Sequence, residues 1–203
     1  MYVPPAFQFS KAEALTFVEA NDFGVLVTRD LTMSYIPMLL KKTANGLVLC
    51  GHISARNPQV EAIRAGKTAK VLFAGPHAYI SPTMYTEPLR NVPTWNYQAV
   101  EILGTLKATA PENTLASMTA QVEKYETEWA IGDLSEKYVA GNLRGILAFE
   151  LSVDEIIGKN KMSQNKPQGE RSRVADQLGA DGQDVIAALM RKLNHKVSNG
   201  DQT

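Results

Sequence analysis

Asn45-Gly46-Leu47-Val48-Leu49-Cys50, approached through Ser34-Tyr35-Ile36-Pro37-Met38-Leu39-Leu40, is the stretch that decides the fold. Asn-Gly is the strongest short hairpin signal in the sequence, and apolar β-formers stand on both sides of it. Residues 23–28, Phe-Gly-Val-Leu-Val-Thr, give another strand just upstream. Three successive strands joined by short turns are expected to pair antiparallel.

Working outward, residues 68–74 return to strand, and 78–81 continue it after a kink at Pro76. Residues 96–108 read as one long strand with Gly104 at a bulge or bend, and 146–151 as the last strand. The helices are few. Ser10 and Glu13 form a capping box for an opening helix with Ala14, Leu15, Phe17 and Val18 on its apolar face. Asn57 caps a short helix with Pro58 at its first position and Gly66 at its end. Residues 111–129 carry Leu115, Met118, Val122 and Tyr125 on one face; 135–141 and 183–193 are also helical. Strands without a βαβ rhythm indicate a mainly β (α+β) chain: an antiparallel barrel with peripheral helices and a C-terminal helical extension. The expected organisation is a barrel domain over 1–178 and a C-terminal helix and tail over 179–203, frayed from 198 onward. The terminal helix is expected to dock or to reach a partner.

Composition narrows the function classes. The 203 residues are 44% hydrophobic and 21% charged, ordinary values for a folded chain. Lysine and arginine number 21 and acidic residues 21, so no basic excess supports general nucleic-acid binding. DNA contact through a local patch stays open, because residues 159–196 are mildly basic. No apolar run reaches membrane-spanning length, and the start lacks a secretory leader pattern, so a cytoplasmic protein is expected. The single cysteine, Cys50, lies in an apolar run and reads as a small buried hydrophobe. Three scattered histidines do not suggest a metal site.

The chemistry-bearing residues fall in three clusters. Gly75-Pro76-His77-Ala78-Tyr79-Ile80-Ser81-Pro82 and Val92-Pro93-Thr94-Trp95-Asn96-Tyr97 interleave flat rings with hydrogen-bonding groups. A core-filling segment would use Val, Ile and Leu, since buried polar groups need partners. His77, Tyr79, Ser81, Trp95 and Asn96 are therefore expected around a planar aromatic ligand with a polar edge. The competing reading makes Trp95 and Tyr97 core or interface anchors and His77 a turn cap. The second cluster, Gly51-His52-Ile53-Ser54-Ala55-Arg56-Asn57-Pro58, runs from a strand end to a helix start, where an anion is favoured. Arg56 and Ser54 could hold a phosphate, or Asn57 could simply cap the helix beside a solvated Arg56. The third, Lys159-Asn160-Lys161-Met162-Ser163-Gln164-Asn165-Lys166, reads as a polar loop after a strand.

These blocks, taken in order with the opening Tyr2-Val3-Pro4, resemble the PaiB-type FMN-binding regulators, a branch of the split-barrel flavoproteins, from Met1 to about Leu178. The resemblance implies a split β-barrel of the FMN-binding type, FMN at a homodimer interface, and negative transcriptional regulation. Carried over residue by residue, it implies cofactor contacts at His52, Ser54, Arg56, Asn57, His77, Tyr79, Ser81, Trp95, Asn96, Lys161, Gln164 and Asn165. Departures from the usual pattern are Tyr35, Ala55, Met84 and Asn160. No residue stands out as a nucleophile or general base, so no catalytic residue is assigned. Flavin chemistry does not require one, and an FMN-dependent oxidoreductase acting on a small heterocycle remains the alternative.

Overall fold

The computed structural model describes the backbone of residues 1–200 and the side chains of residues 1–194. Of the tail expected to fray, residues 201–203 lie outside the described residues, while the backbone of 198–200 is helical. Strands β1 (Phe23–Thr28), β2 (Met33–Pro37), β3 (Leu39–Thr43), β4 (Gly46–Ser54), β5 (Thr68–Ile80), β6 (Thr94–Ala108) and β7 (Ile146–Lys161) form one sheet. Their order is β2-β1-β5-β6-β7-β4-β3. The helices are α1 (Lys11–Ala20), α2 (Val60–Arg64), α3 (Pro111–Val122), α4 (Glu136–Leu143), α5 (Gln168–Ala180) and α6 (Asp184–Gly200). By contacts the chain divides into two compact units. One comprises Met1–Glu13, Ala74–Ala99 and Ile157–Thr203; the other comprises Ala14–Phe73 and Val100–Ile156.

The second unit carries the hairpin that opened the sequence. Thr43 pairs with Gly46, which sits at φ 121°, a conformation open to glycine. Thr43 Oγ1 donates to the Gly46 carbonyl at 2.9 Å and accepts from Asn45 N at 3.2 Å. Residues 34–40, expected as one strand, are two. β2 pairs antiparallel with β1, β3 pairs antiparallel with β4, and Met38 between them is fully buried. Pro37 has no N–H to continue a ladder, while Met38 N turns to the Asp22 carbonyl at 2.8 Å. β2 and β3 are opposite edges of the strand order, yet one residue separates them in sequence. That residue draws the two edges together, which is how a barrel closes. Leu26, Met38, Leu49, Phe73, Ile102, Phe149 and Leu151 fill the interior.

Gly104 stands where another strand comes close. A Cβ there would lie 2.2 Å from the Ser152 carbonyl oxygen and 2.3 Å from Leu151 Cδ2, so the neighbouring strand passes where a side chain would be. α3 also differs from the expected face. It buries Thr114, Met118 and Gln121, while Leu115 and Tyr125 are exposed. Ala120 packs on Leu39, Val48 and Cys50. Burial pushes the Cys50 thiol up from its ordinary value.

The first unit has its own apolar cluster. Ala78 and Ile80 of β5, with Tyr85 and Met162, meet Val174, Ala175 and Leu178 of α5 and Ile186, Ala187 and Met190 of α6. The terminal helix thus docks on α5, a helix that apolar periodicity did not announce.

Candidate functional site

The candidate residues fall in both units. In the first, Ala74, Gly75 and His77 of β5 and Trp95, Tyr97, Gln98 and Ala99 of β6 line a cleft of about 480 Å³. Its lining is mostly apolar, and three of the seven residues are too small to block a flat ring. Trp95 is 52% exposed, with His77 at 6.0 Å between ring centroids and Tyr79 at 5.8 Å, edge-on at 68°. Such an array offers a stacking face with ring edges around it. His77 Nδ1 lies 3.3 Å from the Gly75 carbonyl oxygen. A carbonyl only accepts, so Nδ1 carries the proton and Nε2 keeps the lone pair in the neutral ring.

Asn96 lies on the other face of β6, because neighbouring residues of a strand alternate. It is fully buried, accepts from Ser163 Oγ at 3.1 Å and donates to Met190 Sδ at 3.4 Å. Gln98, two residues further along β6, donates from its carboxamide to Asn160 Oδ1 at 3.1 Å. Ser81 Oγ caps the turn at Pro82–Met84, accepting from Thr83 N at 3.2 Å. The cluster expected as a loop is instead the end of β7 and the turn beyond it. Lys161 Nζ donates to Thr94 Oγ1 at 2.7 Å and to the Trp95 carbonyl at 2.5 Å. Burial, with the Lys159 ammonium nearby, holds Lys161 below the usual lysine value. Gln164 clasps the turn: Oε1 accepts from Met162 N at 2.6 Å and Nε2 donates to the Asn160 carbonyl. Ser163 stands at φ 62°, and Asn165 is exposed beside it.

In the second unit, Ser54 Oγ accepts from Arg56 N at 3.2 Å, and Asn57 Oδ1 accepts from Gln59 N at 2.8 Å. Asn57 Nδ2 also donates to Ser34 Oγ at 2.8 Å, tying the turn to β2. The helix that follows starts at Val60 rather than Pro58 and spans five residues, with Gln59 at its cap. Gln59 is spent elsewhere: its Nε2 donates to the Leu26 and Thr32 carbonyls and to Thr28 Oγ1. Arg56 is the exposed cation of this turn. His52 Nδ1 faces Gln121 Oε1 at 3.0 Å. Among the described residues no group of three His, Cys, Asp or Glu side chains could hold a metal ion.

Gln98, Gln121 and the small cleft residues Ala74, Gly75 and Ala99 were not singled out in the sequence. Gln121 alone left a signal there, as a polar residue at helical spacing from Met118.

Residues 1–155 match the family described as "Putative FMN-binding domain". The chain belongs to that family. Over 188 residues it is 34% identical to the protease synthase and sporulation protein PAI 2 of Bacillus subtilis, covering 88% of this chain and 89% of that one. It is 30% identical over 225 residues to an uncharacterized protein of Emericella nidulans, covering 86% and 90%. Among solved structures, an FAD and heme binding protein from Mycobacterium smegmatis superposes with a TM-score of 0.58 at 16% identity, covering 81% of this chain and 78% of that one. The flavocytochrome Anf3 from Azotobacter vinelandii gives 0.57 at 12% identity, covering 75% and 68%. These likenesses establish the split-barrel fold, and family membership makes FMN the cofactor. No helix among the described residues is long and apolar enough to cross a membrane.

Proposed function

We propose that this chain is an FMN-binding regulatory protein of the PaiB type, acting in the cytoplasm as a homodimer, with the isoalloxazine ring against Trp95. The observation that carries this reading is the apolar cleft built around a half-exposed indole, in a chain whose family is FMN-binding. Apolar walls take the ring faces, while the His77 Nε2 lone pair can meet its polar edge. The regulatory part of this reading is supported by the likeness to the Bacillus subtilis relative, named as a protease synthase and sporulation protein. A second copy would cover the exposed aromatic side chains.

The test begins with the absorbance spectrum of freshly purified protein, followed by FMN titration of the apoprotein in a Trp129→Phe background. Saturable quenching of the Trp95 emission at one FMN per subunit supports the site. Binding with unchanged emission removes Trp95 from it. Flavin-dependent oxidation of a reduced nicotinamide at a catalytic rate would favour the oxidoreductase alternative.

A further inference from the structure

β1 is apolar on both of its faces. Gly24, Leu26 and Thr28 are buried, and Phe23, Val25 and Val27 alternate with them on the other side. An antiparallel sheet with one face in water alternates apolar with polar residues, so a strand that is apolar on both faces belongs under cover. The neighbouring strands continue this outer face. Register sets Tyr35 of β2 and Leu72 of β5 beside Val25, Met33 and Lys70 beside Val27, and Pro37 beside Phe23. Phe23 and Tyr35 stack with ring centroids 6.5 Å apart at 23°. All of these residues belong to the second unit. Yet Phe23, Met33, Tyr35 and Leu72 are exposed, Tyr35 the most of the four at 69%.

Two features select what covers them. The first is charge. A twofold contact brings the same patch against itself, so an unpaired charge within it would meet a charge of its own sign. Lys70 is the charged residue in these rows, and Glu101 neutralises it at 2.6 Å. The face is therefore complementary to itself and not to a nucleic acid or a charged peptide. The second is area. The four exposed side chains offer about 500 Å², which matches the apolar share of a standard patch of about 800 Å² per partner.

We propose that the outer face of β2, β1 and β5 is the surface on which a second copy of this chain docks, sheet against sheet, with Tyr35 and Phe23 as anchors. This docking rests on the homodimer reading and names its surface. Facing sheets pack about 10 Å apart, so Phe23, Met33, Tyr35 and Leu72 of the two copies interdigitate. Aromatic residues near the centre of such a contact carry much of its energy.

The test is sedimentation of the full chain, supplied with FMN, at micromolar concentration. Wild-type protein is expected at twice the chain mass of 22.2 kDa. Tyr35→Lys and Phe23→Lys should each raise the dimer dissociation constant by about 30-fold or more, while circular dichroism stays that of the wild type. Leu115→Lys, at an exposed position of α3, is the control and should change nothing. A wild-type monomer would refute the homodimer reading and the docking with it. A wild-type dimer that Tyr35→Lys and Phe23→Lys leave intact, or that Leu115→Lys loosens as much, would overturn the surface while the homodimer stands. Should the variants not fold, hydroxyl-radical footprinting of the wild type decides. Met33 and Tyr35 should be modified more slowly in the dimer than after dilution to monomer, and equal rates overturn the proposal.

Discussion

Lys161 shows how one side chain changes meaning between sequence and structure. In the chain it is a cation in a polar run, suited to a phosphate. In the fold its ammonium is engaged by Thr94 Oγ1 and the Trp95 carbonyl, so it anchors the residue that carries the indole. Hydrogen bonds to a charged group contribute about 1.5–3 kcal/mol each. Lys161→Met should therefore weaken FMN and riboflavin alike, about tenfold, as Trp95 loses its anchor. Parallel fluorescence titrations with the two ligands check this; a loss for FMN alone would return Lys161 to the phosphate. Asn96 was legible as a special residue but not as a buried one, since its partners Ser163 and Met190 lie 67 and 94 positions away.

Among the elements, short strands were legible because each is a compact apolar run bounded by turn residues. The far half of β7 was not, because Asp154, Glu155, Lys159 and Lys161 break its pattern. α5 escaped notice for a related reason. Its buried face consists of Arg171, Val174, Ala175 and Leu178, and an arginine does not read as core. Gly104 yields a sharp element-level expectation. Gly104→Ala should cost about 1–3 kcal/mol or more, since the intruding methyl meets backbone that cannot swing aside. Urea unfolding measures it; a neutral result would mean that β6 and β7 separate freely there.

The end of α3 is fastened by charge. Lys124 Nζ lies 2.5 Å from Asp22 Oδ2 and the Tyr125 hydroxyl donates to the same oxygen. Burial alone would raise the Asp22 carboxyl, but the hydrogen bonds from Lys124 and Tyr125 outweigh it and hold the group below its ordinary 3.8. A depressed carboxyl stabilises the fold above its unfolded pKa, and that contribution disappears as pH falls through the folded value. Asp22→Asn should lower stability at neutral pH by about 1 kcal/mol or less and flatten the loss below the ordinary carboxylate range. Thermal melts across that acid range test the sign.

At the scale of the molecule, the strand order assigns both sheet edges to residues joined through Met38, and this is what the hairpin sequence could announce only in part. An Asn-Gly turn fixes a local pairing; closure depends on where the other edge arrives. The exposed side chains Tyr79, Trp95, Val92 and Leu89 of the first unit motivate the expected homodimer. Sedimentation of the FMN-bound protein should give twice the chain mass of 22.2 kDa at micromolar concentration, and a monomer with flavin in place would refute it. The buried thiol under α3 has a further use. As the sole cysteine of these 203 residues, Cys50 gives a chemical clock with no competing signal. A thiol reagent can reach it only when Leu39, Val48 and Ala120 part, so the labelling rate of the native protein counts how often that layer breathes.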